Sequence, residues 1–312
     1  MHTKTMKKKQ SSAHIPTYLK QGDKIGLIST ARKINKEELQ SAIELLTSWG
    51  LEIVLGQNLF NSYHQFSGTD QERQSDLQHM LDNEYVKGII CVRGGYGTVR
   101  IIDSLNFELF QKQPKWLAGF SDITVLHSHI HKLNIATLHS TMPISFSSNT
   151  TEAINSLKAA LFGEDISIEV SAHPLNRIGE AKGQIVGGNL SILYSLIGSP
   201  SEIDTKDKIV FIEDLDEYLY HIDRMMMNLK RSGYLSHLKG LIVGGMSKMN
   251  DNKIPFGKEA EKIIYDAVCE YDYPVCFGFP AGHISDNRAI KLGQIAHLKV
   301  NKKTTLNYDE ST

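Results

Sequence analysis

The sequence predicts an α/β protein in two parts: an N-terminal domain on a doubly wound, mostly parallel sheet, then a smaller β-rich α/β C-terminal domain. Three observations predict it. Short apolar runs alternate with segments of helical periodicity through the first half of the chain. Two of those runs break on glycines and pass directly into helical patterns, "CVRGGYGTVR" and "KWLAGFSDIT", as strand-to-helix turns of such a sheet do. The 312 residues, 41% apolar and 22% charged, suffice for a large core and two domains.

The elements follow in order. "DKIGLIST" is a first strand. "NKEELQSAIELLTSWG" is an amphipathic helix stopped by Gly50. "LEIVLG" is a strand and "TDQERQSDLQHMLDN" a helix capped by Thr69 or Asp70. "VKGIICV" is a buried strand, and "GGYGTVRIIDSL" a glycine turn entering a helix. "KWLAGF" and "DITVLHSHIHKL" repeat the strand-to-helix step, with the helix starting at Asp122, and "IATLHS" adds a strand. The N-terminal domain is thus expected over residues 16–165. Residues 166–184 are polar and interrupted by Pro174, which suggests a linker. Residues 185–312 form the second domain, with strands at "GQIVGGN", "KIVFIEDL", "LKGLIVGG", "PVCFGF" and "RAIKLGQIAHLKV" around helices "YHIDRMMMNLKRSG" and "KEAEKIIYDAVCEYD".

Charge and cysteines narrow the function classes. With 34 basic and 35 acidic residues the net charge is -1, which argues against a general binder of nucleic acid or anionic membrane. No apolar stretch approaches the ~20 residues a membrane span needs. Residues 1–15 begin "MHTKTMKKKQ" and lack the apolar centre of a secretory signal, so they read as a disordered basic tail on a cytoplasmic protein. Cys91, Cys269 and Cys276 include no CxxC pair and read as reduced thiols.

In open parallel sheets ligands gather beyond the carboxyl ends of the strands, where the turns at Gly94 and Ser121 lie. The glycine turn lacks the third glycine of a dinucleotide loop, since Arg100 stands there, and no P-loop motif occurs. It can instead offer bare backbone N–H groups, or be a tight turn without a ligand. His127, His129 and His131 alternate, and on a helix only His127 and His131 share a face. Without H-E-x-x-H they read as a solvated face, so no metal is expected. Ser121 sits in "GFSDI", close to the G-x-S-x-G nucleophile elbow but with Ile123 in place of the last glycine. Its two readings are helix N-cap and nucleophile. Partners for a nucleophile exist at other strand ends: Glu213 and Asp214 close "IVFIED", and "GFPAGH" presents His283. Serine, glutamate and histidine in that chain order match a common hydrolase arrangement.

Taken together, "RGGYG", "GFSDIT", "GGNLS", "FIEDLDEYLYHIDRM" and "GFPAGH" resemble the signature blocks of the LD-carboxypeptidase family of serine peptidases, from about Pro16 to about Lys299. That family also holds the microcin C self-immunity peptidases. The resemblance implies Ser121 as nucleophile, Glu213 as orienting carboxylate and His283 as general base. Backbone N–H groups of Asp122, Gly94 and Gly95 would form the oxyanion hole. It implies a homodimer without cofactor or metal that cuts the L,D bond releasing terminal D-alanine from a murein-derived tetrapeptide in the cytoplasm. Two alternatives stand beside it: an amidase acting on a peptidyl-nucleotide antibiotic, and a non-catalytic binding protein on this scaffold. The sequence departs from the pattern where Ser140 follows His139 in place of a glycine, which leaves the role of His139 open. Both tryptophans, Trp49 and Trp116, lie in the first half, so the C-terminal half has none to stack on a nucleobase.

Overall fold

The computed structural model describes residues 12–309 and contains two sheets. The first half runs β1 (Lys24–Ile28), α1 (Lys36–Ser48), β2 (Glu52–Leu55), α2 (Asp70–Asp82), β3 (Val86–Cys91), α3 (Glu108–Lys112), β4 (Trp116–Gly119), α4 (Thr124–Lys132), β5 (Thr137–His139) and α5 (Thr151–Phe162). The second half runs β6 (Ser167–Ser171), β7 (Gly179–Asn189), α6 (Leu190–Ser195), β8 (Ile209–Leu215), α7 (Leu219–Arg231), β9 (Gly240–Ser247), α8 (Ala260–Val268), β10 (Val275–Cys276), β11 (Ile290–Leu292), β12 (Ile295–Val300) and β13 (Lys303–Tyr308).

The first sheet has the order β11-β5-β4-β3-β1-β2. Its pairs are parallel except at the edge, where β11 runs antiparallel to β5 with Ile290 opposite His139. Helices cover both faces, so the central strands are buried on both sides and read as continuous apolar runs. One face packs Leu39, Leu46 and Trp116; the other packs Leu77, Phe110 and Leu126. The caps are local. Asn35 and Glu38 form a capping box on α1, and Thr69, rather than Asp70, accepts the Glu72 N–H at α2.

The second sheet has the order β10-β9-β8-β7-β12-β13-β6, parallel from β10 to β7 and antiparallel beyond. α4 contacts β7 and α6, so the helix that follows Ser121 is shared between the two halves.

Three expectations change. Gly95 and Gly97 take φ of 117° and 149° in the expected glycine turn, but the helix expected after it is instead two 3-10 turns, Thr98–Arg100 and Ile102–Ser104. The segment 166–184 is not a simple linker. It carries β6 and the first half of β7, whose polar residues alternate with buried ones because one sheet face is solvated. Within the basic segment 1–15, residues 1–11 lie outside the described residues. Ala13 is buried with its N–H donating to Gly293 O, and His14 bridges to Ile135. Among the described residues no helix is long and apolar enough to cross a membrane.

Candidate active site

Ser121 lies directly beyond the carboxyl end of β4. Gly119 at φ 155° lets the chain turn, since a Cβ there would stand 3.0 Å from the Ile123 side chain. Ser121 then takes φ 64°, a left-handed conformation that costs a residue with a side chain about 1–3 kcal/mol and so must be held by its surroundings. A 3-10 turn over Ser121–Ile123 follows, and α4 starts at Thr124 rather than at the expected Asp122. The Ser121 side chain caps neither helix, so the N-cap reading has no hydrogen bond to support it.

The glycine turn after β3 backs directly onto this serine. A Cβ on Gly94 would stand 3.1 Å from Ser121 Cβ and 3.3 Å from Oγ. Outside regular elements, no backbone acceptor takes the Gly94 or Gly95 N–H among the described residues. Asp122 ties the two turns together: its buried Oδ2 accepts the Thr98 N–H at 2.9 Å. Burial raises the Asp122 pKa, while the donors of Thr98 and Gly97 oppose that rise.

Glu213 and His283 meet from the other domain. Glu213, in β8, has no solvent exposure. Its Oε2 accepts from His283 Nδ1 at 2.7 Å and from the His283 N–H at 3.1 Å. Gly282, at φ 102°, makes this approach feasible, because a Cβ there would fall 2.6 Å from Glu213 Oε2. Its N–H donates to Asn287 Oδ1, and Ser247 Oγ donates to His283 O. Burial lowers the His283 pKa, but the charge and hydrogen bond of Glu213, with the charge of Asp214, outweigh it and hold the imidazole above its ordinary value. The His283 ring lies 4.8 Å, centroid to centroid, from Phe120, the residue before Ser121. The structure therefore brings Glu213 and His283 into direct contact and sets His283 against the neighbour of Ser121. No hydrogen bond joins Ser121 Oγ to His283 among the described residues.

Asp214, beside Glu213 near the end of β8, does not face solvent. It is buried, accepting from Asn189 Nδ2 and the Ser191 N–H, both at 2.9 Å, and burial and then the Glu213 charge push its pKa to about 7. Asn189 also donates its N–H to Thr124 Oγ1 at 2.9 Å. One hydrogen-bonded chain thus runs from the start of α4 through the end of β7 to the carboxylate beside Glu213. Asn189 stands in the "GGNLS" block, but only the sheet order shows what it joins. Asp216, two residues on, is exposed.

The histidines of α4 are not a solvated face. His127 is buried, with Nδ1 bonded to Thr137 Oγ1 and Nε2 to Gly119 O, and burial drives its pKa to about 4. Burial does the same to His131. His139 is fully enclosed, its ring 4.8 Å from Phe211 and 5.9 Å from Phe120, and burial keeps it neutral. Among the described residues no cluster of His, Cys, Asp and Glu has metal-binding geometry.

Known proteins share this sequence pattern and fold. The models of the LD-carboxypeptidase N-terminal and C-terminal domains match residues 25–140 and 182–298. The chain belongs to the LD-carboxypeptidase family. Within it, a probable murein peptide carboxypeptidase of Bacillus subtilis is 36% identical, over 93% of this chain and 93% of its own. The crystal structure of a muramoyltetrapeptide carboxypeptidase from Oxalobacter formigenes matches with a TM-score of 0.84 at 27% identity, covering 93% of this chain and all of that one. An MccF-like protein from Bacillus anthracis shares the fold at TM-score 0.83 and 24% identity, over 96% of this chain and 100% of its own. The two-domain α/β architecture expected from the sequence is that of the LD-carboxypeptidase family.

Proposed function

We propose that this chain is a cytoplasmic serine carboxypeptidase that releases terminal D-alanine from murein tetrapeptides by cutting an L,D bond, working as a homodimer. The observation that carries the reading is the buried Glu213 carboxylate holding His283 through Nδ1, with the imidazole packed beside the left-handed turn of Ser121. The names borne by its relatives favour a murein peptide as substrate.

In the proposed reaction His283 Nε2 takes the proton of Ser121, and Oγ attacks the carbonyl carbon of the scissile bond. Nδ1 keeps its proton in the hydrogen bond to Glu213, which fixes the tautomer and stabilises the imidazolium. The N–H groups of Asp122, Gly94 and Gly95 receive the oxyanion, each such donor being worth roughly 10²–10³ in rate. His283 passes its proton to the departing D-alanine amine. It then deprotonates the water that hydrolyses the acyl-enzyme. The test is mass spectrometry of a murein tetrapeptide incubated with the protein. Loss of one alanine is expected, and an unchanged mass refutes the proposal.

A further inference from the structure

A carboxypeptidase has to recognise a free carboxylate beside the bond it cuts. In the leaving residue that carboxylate is separated from the scissile nitrogen by a single carbon, so by bond lengths it lies within about 4 Å of the carbonyl under attack. A cation at the mouth of the site would suit that carboxylate, and the proposed triad and oxyanion donors supply none.

Arg32 is such a cation. It lies just past β1, at the same end of the first sheet as Gly94 and Ser121, and its N–H donates to Gly94 O. Its side chain runs across Gly95: a Cβ there would stand 2.6 Å from Cγ and Cδ and 3.0 Å from Nε. The same glycine turn backs onto Ser121 on its other side. Arg32 is exposed, and its guanidinium has no hydrogen bond or ion pair among the described residues. The other cations of the turns beside Gly94 are committed. Arg93 donates to Lys33 O, Lys33 to Ser62 Oγ, and Arg100 pairs with Asp70. A planar guanidinium also matches a carboxylate with two parallel hydrogen bonds.

We propose that Arg32 anchors the terminal carboxylate of the substrate and so makes the enzyme an exopeptidase. This rests on the carboxypeptidase reading of Ser121, Glu213 and His283. Gly95 then has two duties: its N–H faces the reacting carbonyl, and its missing side chain lets Arg32 cross. A substrate whose terminus is an amide leaves the guanidinium without its partner and is rejected.

The experiment compares kcat/KM for a murein tetrapeptide ending in free D-alanine with that for the same peptide ending in D-alanine amide. Wild type, Arg32→Ala, Arg32→Lys and Arg93→Gln are measured, with fluorophosphonate labelling of Ser121 run in parallel. Wild type should prefer the free acid. Arg32→Ala should lose about 10- to 100-fold on the acid, the worth of a charge-assisted pair, with little change on the amide and unchanged labelling. Arg32→Lys should recover part of the loss. If wild type cuts the tetrapeptide and Arg32→Ala keeps the preference, or Arg93→Gln loses it instead, the anchor is overturned while the function stands. If Arg32→Ala falls equally on acid and amide, or stops labelling, Arg32 supports the site in general and the anchor is likewise overturned. If wild type cuts neither peptide, both proposals fall.

Discussion

Replacing Glu213 with glutamine tests the proposed triad most sharply, because it changes charge with little change in size. The carboxylate is buried and its Oε2 serves both the ring and the backbone of His283. The imidazolium that forms during attack would face a neutral amide. With charge centres about 4 Å apart and an effective dielectric of about 20, the lost attraction is roughly 4 kcal/mol. That corresponds to about 10³ in rate. An amide can also turn its NH2 toward Nδ1 and hold the wrong tautomer, and the comparable change in a different triad costs about 10⁴. We therefore expect kcat to fall by about 10³–10⁴ with the fold intact. The pH profile adds a second signature. Burial lowers the His283 pKa and Glu213 is the main group that outweighs it, so removing its charge leaves burial opposed only by the weaker effect of Asp214. Activity requires neutral His283, and the rising limb of kcat against pH should move to lower pH in the variant. Asp216→Asn is the control, since Asp216 is exposed and its carboxylate accepts only from Asn250 Nδ2 among the described residues. Steady-state kinetics from pH 5 to 9 decide the matter. A loss below tenfold for Glu213→Gln, or a larger loss for Asp216→Asn, refutes Glu213 as the orienting carboxylate.

Ser121→Ala should abolish turnover, and Ser121→Gly should do so while raising stability by about 1 kcal/mol, because glycine accepts φ 64° without strain. Thermal melts and residual activity check both, and normal turnover in either variant removes Ser121 as nucleophile. Gly94→Ala places a methyl 3.1–3.3 Å from the serine and should lower kcat at least about tenfold with less effect on KM, as loss of transition-state donors does. A change confined to KM would make this turn a ground-state binding loop. Asp214, with its folded-state pKa near 7 against an ordinary 3.8, favours the folded state in its protonated form, so its contribution is full below pH 3.8 and is lost as pH rises through about 7. Asp214→Asn should therefore flatten the fall in Tm between pH 5 and pH 8, and an unchanged slope would contradict the burial of that carboxyl.

Much of this protein is legible without coordinates because its signals are local. Buried parallel strands advertise themselves as apolar runs such as "GIICV", and caps such as Asn35 with Glu38 act within one helical turn. The glycine turns and the strand-end positions of Ser121, Glu213 and His283 are likewise visible, since each depends on the residues beside it. What sequence alone leaves open depends on partners distant along the chain. Residues 166–184 look like a linker until β12 and β13 arrive from more than a hundred residues later to pair with them. β11 returns from the second half to close the edge of the first sheet. Asp214 and Asp216 are equally acidic in sequence, and only packing against Asn189 and Ser191 buries one and leaves the other in water. His127 and His131 read as a wet helix face because nothing local announces that His127 meets Gly119 and Thr137 of β4 and β5, or that the second half packs against α4. Local sterics and periodicity choose the elements. Burial, and with it the pKa of every group near Ser121, is set by which surfaces meet when the two sheets dock.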